Sequence, residues 1–222
     1  MQENSDKSLE RPAAKPSAKT LRGPTGGNAQ RRSNKQRSES TRSALISAAR
    51  RLFVEKGYAE TGTPEIVAAA QVTRGALYHH FADKADLFRA TLREEARAVA
   101  DHIEQETEEA RSALEAMTRG ADSYFAAMSV PGRVRLLLLD GPAVLGHAEM
   151  AEIDQETGGE ELRQGLAYAM EKGALAPLPL EAMTSILSAA FDRAALAIAQ
   201  GAPAEDYKAA IRRMLEGLLK RA

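Results

Sequence analysis

Apolar residues recur at spacings of three and four along most of this chain, a helical period rather than the alternation of a strand. Ala44, Leu45, Ala48, Ala49, Leu52 and Phe53 form the first stripe, predicting an amphipathic helix from about Thr41 to a terminating Gly57. A second, short helix is expected from Thr63, which can cap, Pro64, which suits a first helical position, and Glu65, which suits the positive end of the dipole. Its inward residues are Ile66, Val67 and Ala70. A third helix opens at a Thr73 cap and runs to about Phe81, with Leu77 and Phe81 inward at i, i+4. Asp83 caps a fourth, with Asp86 at its third position.

From Lys84 the pattern is helix after helix. One reaches about Glu106, and another covers Ser112 to Met128. A short helix, Arg133 to Leu139, lies between breaks at Pro131-Gly132 and Gly141-Pro142. A pair covers Ala148 to Lys172, interrupted at Gly158-Gly159. A long helix introduced by Pro177 and Pro179 reaches Gln200, and the last ends near Lys220. The expected fold class is all-α: a three-helix head containing a helix-turn-helix, then a larger helical bundle. The expected domains are a disordered basic N-terminal arm at 1–38, a head at 39–86 and a body at 87–222.

Composition agrees with a helical reading. Hydrophobic residues make up 44% of the chain, with Ala and Leu prominent and aromatics at 5%. The absence of cysteine excludes disulfides, thiolate zinc sites and cysteine nucleophiles. The apolar runs Leu136 to Leu139 and Ala194 to Ala199 are too short to span a bilayer, and no apolar stretch follows the N-terminal charges. A cytoplasmic protein with no membrane partner is expected. The net charge of −1 conceals an asymmetry: +6 over residues 1–38, +1 over 39–90 and −8 over 91–222. Only one end is then suited to a polyanion. Arg31, Arg32, Lys35 and Arg37 are the arm's candidates for a loose clamp on phosphates; a leader with no role is the alternative.

The informative stretch runs from Thr63 to Phe81. With Leu77 and Phe81 inward, the third helix turns Arg74, Gly75, Tyr78 and His79 outward. Such a helix suits the major groove of double-stranded DNA, where its N-terminal residues meet base edges. Arg74 can bond bidentately to guanine, and Gly75 allows close approach. Thr63 is counted with the DNA-facing residues, and Thr73, Tyr78 and His79 can reach phosphate oxygens. Tyr78 is otherwise a surface aromatic. His79-His80 does not suggest a metal, since adjacent helical residues diverge by about 100° and no further ligands complete a site. No catalytic grouping, Walker loop or dinucleotide fingerprint is present, so neither an enzyme nor a cofactor is expected.

The stretch resembles the tetracycline-repressor (TetR) family of transcriptional regulators. The likeness rests on Ala48-Ala49-Arg50-Arg51-Leu52-Phe53, Lys56-Gly57-Tyr58, Glu65-Ile66, Val72 to Phe81, and Asp83-Lys84 with Asp86-Leu87. It implies that Arg42 and Lys84 touch the DNA backbone, and that the body dimerises and often encloses a small-molecule pocket. One departure is Gln71, where the family usually has glycine; if the turn needs a left-handed residue, Gln costs roughly 1–2 kcal/mol.

In the body, two stripes are candidates for a homodimer seam: Met183, Ile186, Leu187, Ala190, Phe191 and Ala194, and Tyr207, Ile211, Met214, Leu215 and Leu218. The alternative is that both serve the monomer core. Pocket candidates are His102, Met117, Tyr124, Phe125, Met128, Asp140, His147, Met150 and Tyr168, with Asp140 alternatively a helix cap. The resemblance implies a repressor released from a palindromic operator by an apolar or amphipathic effector that moves the helix starting near Asp83. The alternatives are an activator or ligand-independent regulator, a nonspecific DNA-binding protein, or an enzyme.

Overall fold

A computed structural model describes residues 26–218, with side chains from residue 35. Among them the elements are α1 (Gly26–Lys56), α2 (Thr63–Ala69), α3 (Arg74–His80), α4 (Lys84–Thr107), α5 (Ala113–Met128) and α6 (Arg133–Arg135). A π-helical turn, π1 (Leu136–Asp140), follows. The remainder are α7 (Gly141–Leu145), α8 (His147–Gln155), α9 (Gly158–Glu171), α10 (Leu180–Ala199) and α11 (Ala204–Leu218). No strand occurs among the described residues.

The helix expected from Thr41 begins at Gly26 instead. Once the packed turns of α1 exist, each added residue costs little. After Pro24 no proline interrupts the segment, and Ala29, Gln30, Arg31, Arg32, Lys35, Gln36 and Arg37 are good helix formers among weaker Gly, Asn and Ser. Residues 1–25 of the expected arm, and the side chains of Arg31 and Arg32, lie outside the described residues. The chain divides into compact units at Ser38/Glu39.

In the second unit, α1, α2 and α3 close on Leu45, Ala49, Phe53, Ile66 and Leu77, each at most 0% exposed. The first turns of α4 complete this core through Leu87 and Phe88. Phe88 meets Phe53 edge-on at 4.9 Å and lies 4.9 Å from Tyr58, contacts that add about 0.5–1.5 kcal/mol each beyond burial. The expected head–body boundary at 86/87 therefore falls inside a continuous helix. Asp83 caps α4 by accepting from Asp86 N at 2.8 Å, and the Asp86 carboxylate accepts in turn from Ala82 N at 3.0 Å.

A second brace joins α1 to the body. Glu95 of α4, 7% exposed, accepts from Arg50 of α1 at 2.7 Å and from Arg133 of α6 at 3.0 Å. Burial alone would raise the Glu95 carboxyl's pKa; the two guanidinium partners outweigh it and hold the group below its ordinary range. Farther along, Arg89 and Arg93 of α4 pair with Glu149 and Glu156.

The break expected at Gly141-Pro142 is absent. The backbone stays right-handed from α6 through π1 into α7. Pro142 sits at the start of α7, where its missing N–H is tolerated, and the wider π turn accommodates its ring.

Candidate functional site

The connection between α2 and α3 is set by backbone hydrogen bonds. Val72 N donates to Val67 O at 3.1 Å and Gln71 N to Ala68 O at 3.1 Å, the crossed pair of a Schellman ending. That ending places its first residue past the cap in the left-handed region, and Gln71 has φ 56°. Val72 and Val67 both pack against the core, supplying the hydrophobic contact that accompanies this motif. The strain expected of Gln71 is therefore present. Thr73 then caps α3, its hydroxyl oxygen accepting from Ala76 N at 3.1 Å.

Leu77 and Phe81 point inward at 0% and 3% exposure, which turns Arg74, Gly75, Tyr78 and His79 to the surface. The Arg74 guanidinium lies 5.5 Å from the centre of the Tyr78 ring, one turn on. Hydrogen bonding from Thr63, then from Arg74, lowers the Tyr78 hydroxyl's pKa, so the three side chains converge at one end of this surface. A Cβ on Gly75 would meet only Thr73 Oγ1, at 3.8 Å, an ordinary contact. Among the described residues nothing requires glycine there.

Two further candidates are already occupied. Arg42 pairs with Glu94 at 3.5 Å and lies 5.4 Å from the Phe81 ring. Lys84 donates to the carbonyls of Tyr58 at 2.9 Å and Thr61 at 3.1 Å, and sits 4.2 Å from the Tyr58 ring. Two of its three protons are thereby used to cap α1's connection to α2. The His80 imidazole is held below its usual pKa by burial, then by His79 and Arg42.

The body holds a half-open cavity of about 1160 Å³ among α4, α5, π1, α8, α9 and α10. Its apolar walls include Val99, Ile103, Met117, Met128, Leu137 and Phe191. Polar groups also face it. Tyr124 donates to Asp192 Oδ1 at 2.7 Å, and Ser188 to Asp154 Oδ2 at 2.8 Å. Burial raises all three titratable groups: Tyr124 well above its ordinary range, Asp154 upward, and Asp192 to about 6 with help from the Asp154 charge.

Comparison with known proteins follows the same division into head and body. Residues 45–91 match the family model for bacterial regulatory proteins of the tetR family, and residues 114–221 match that for the tetracyclin repressor-like C-terminal domain. The chain belongs to the TetR family. Among curated TetR relatives, the transcriptional regulator AcrR of Shigella flexneri is 49% identical over 57 residues, 26% of each chain. The repressor AcnR of Corynebacterium glutamicum is 29% identical over 168 residues, covering 74% of this chain and 85% of AcnR. The first curated relatives are matched over only about a quarter to a third of their length, 26% for AcrR and 36% for the TetC protein of Escherichia coli transposon Tn10. A solved TetR-family regulator from Pectobacterium atrosepticum superposes with a TM-score of 0.68 at 29% identity, over 84% of this chain and 97% of its own. TetR-family regulators bind DNA operators and small-molecule effectors and are usually dimers.

Several residue assignments change within this TetR frame. Thr63 is not the cap of α2; Gly62 holds that position without a side-chain bond, which leaves the Thr63 hydroxyl for Tyr78. Of the pocket candidates, Met117, Tyr124, Met128, His147, Met150 and Tyr168 line the cavity. His102, Phe125 and Asp140 do not. The His102 carbonyl accepts from Ser123 across α4 and α5, Phe125 packs on Phe191 at 5.9 Å, and Asp140 pairs with Arg135 at 3.2 Å. Nor does Asp140 cap α7 through its side chain.

The seam assignment also fails for most of its residues. Leu187, Phe191, Ala194, Ile211 and Leu215 are at most 7% exposed and belong to the protomer's own core. Met183, Ala190, Tyr207 and Leu218 pack against that core, which leaves Ile186, 62% exposed, and Met214, 46% exposed, facing outward. Periodicity identified the richer apolar face, and the richer face is the one the monomer buries. Asp154, Thr184, Ser188 and Asp192 were not singled out from sequence. The available signal was the i, i+4 row Thr184, Ser188, Asp192 running through an apolar helix.

Proposed function

We propose that this protein is a sequence-specific DNA-binding transcriptional repressor, acting in the cytoplasm as a homodimer and leaving a palindromic operator when a small molecule enters the body cavity. The observation that carries the reading is the α3 surface. Arg74, Gly75, Tyr78 and His79 stand clear of the fold, and the glycine among them has no internal purpose. Arg74 reads a guanine edge, while Thr63, Thr73, Tyr78, His79 and Arg42 contact phosphates. The remaining proton of Lys84 can also point to a phosphate.

The dimer surface in this reading is the outward face of α10, where Ala182 and Ile186 are exposed one turn apart and Ser185 and Ala189 mark its border with the cavity, together with Met214 of α11. Ile186 is 62% exposed. By length and composition α10 could cross a membrane, contrary to the expectation from run lengths, and 33% of its apolar window is buried. Asp192 and Arg193 and the packing of α10 on α9 and α11 favour a bundle helix whose bare face a second copy covers.

Signal transmission has a defined route. α4 contributes Ala96, Val99, Ile103 and Thr107 to the cavity, while its first turns form part of the head. Leu137 and Leu138 of π1 also line the cavity, immediately after Arg133 of the brace to Arg50. An effector that shifts α4 or π1 moves both attachments of the head. Each tenfold loss of operator affinity requires about 1.4 kcal/mol of difference in effector binding between the two states. Selection from random DNA tests the proposal: wild-type protein should enrich an inverted repeat with half-sites one helical turn, roughly 34–36 Å, apart. Enrichment of no sequence would remove the regulator reading.

A further inference from the structure

The cavity holds two carboxyl groups that pair with no basic side chain among the described residues. Asp154 of α8 and Asp192 of α10 both face it, and the hydrogen bonds to both come from neutral donors. Asp154 accepts from Ser188 and from the backbone N–H of Gly159. A Cβ on Gly159 would lie 2.8 Å from the Asp154 carbonyl oxygen and 2.9 Å from Oδ2, so this carboxylate is seated against bare backbone. Asp192 accepts from Tyr124. Among the described residues no lysine or arginine forms an ion pair with either. Arg163 and Arg193 also line the cavity, but Arg163 is held by Glu160 at 2.7 Å and Arg193 is exposed and pairs with neither carboxylate. Carboxylates placed in an apolar cavity without a counter-charge are unfavourable to the free protein.

An independent feature lies beside them. Thr184, 8% exposed, lines the same cavity, and among the described residues its Oγ1 has no hydrogen-bond partner. Thr184, Ser188 and Asp192 are four residues apart along α10, so they share one face. The rings of Tyr124 and Phe191, 5.3 Å apart, stand next to the carboxylates and offer π faces to a cation. A cavity of about 1160 Å³ with mostly apolar walls suits an organic molecule rather than a bare metal ion.

We propose that the effector is an organic cation, an amine or ammonium on an apolar body, whose charge sits between Asp154 and Asp192 and which offers a polar group to Thr184. This rests on the reading of the cavity as the effector site. It replaces a generally apolar or amphipathic ligand with one of defined charge. The raised pKa values of both carboxylates fit a site that an arriving cation relieves.

Tetraphenylphosphonium and tetraphenylborate, nearly identical in shape and opposite in charge, provide the test. In calorimetric titration of the full chain, the phosphonium should bind once per cavity, at least tenfold more tightly than the borate. The Asp154→Asn/Asp192→Asn double variant should lose at least tenfold in phosphonium affinity and narrow the gap to the borate. Equal or tighter borate binding, no phosphonium binding, or an unchanged double variant would overturn the proposal. The wild-type comparison of the two ions stands even if the variant does not fold. Binding of the same preparation to its selected DNA site is measured in parallel. Protein that binds DNA but ignores the phosphonium refutes the cation alone, whereas protein that binds no DNA refutes the regulator reading.

Discussion

Replacing Gln71 with glycine should stabilise this protein. Gln71 has φ 56° because the Schellman ending of α2 demands a left-handed residue there. A side chain in that conformation costs roughly 1–2 kcal/mol, from the closeness of Cβ to the following carbonyl. Glycine removes that cost but gives up about 0.5–1 kcal/mol through its greater freedom in the unfolded chain. Gln71 is exposed, so little packing is lost. The net gain is therefore about 0.5–1 kcal/mol, or a few degrees in melting temperature for a chain of this size. Urea midpoints for Gln71→Gly and Gln71→Ala, at equal m-value and protein concentration, isolate the effect, because alanine keeps the Cβ and should stay near wild type. A glycine variant no more stable than the alanine variant would show that left-handed strain is not what Gln71 contributes.

Three further outcomes are expected. Gly75→Ala should raise helix stability by up to about 1 kcal/mol, since the added methyl meets no obstacle, while weakening operator binding. Unchanged DNA affinity in an anisotropy titration would mean that Gly75 does not face the groove. Asp192→Asn should be stabilising at high pH. The folded carboxyl keeps its proton to about pH 6, the unfolded one only to about 4, so its ionised form disfavours folding above pH 6 and the penalty disappears below pH 4. The gain should approach roughly 2–3 kcal/mol at pH 8 and vanish near pH 4; a gain independent of pH would contradict the burial argument. Ile186→Glu should yield a folded monomer in sedimentation, whereas a dimer of unchanged affinity would place the seam elsewhere.

The head was legible because its signals are local. Thr73, Asp83 and Gly57 act as the cap and stop residues their types suggest, and the i, i+4 pair Leu77 and Phe81 fixes which face of α3 remains outward. The body was less legible for reasons of topology. Pro142 reads as a break in any local scheme, and only the π turn before it keeps the backbone helical. On α10 the sequence shows an apolar stripe at Leu187, Phe191 and Ala194 but not what covers it; packing against the protomer's own bundle decided that. Asp154 and Asp192 are single acids among many, and nothing beside them in the chain announces burial. They become a candidate site only when α8 and α10 bring them to the same cavity.

The most direct test of the central claim is the DNA preference of Arg74→Ala beside that of wild type, in one selection from random sequence. If α3 reads the groove through Arg74, the variant should lose discrimination at a single base position in each half-site, at a cost of about 1–3 kcal/mol, while keeping the spacing between half-sites. An identical enriched sequence from both proteins would contradict the assignment of base reading to this helix.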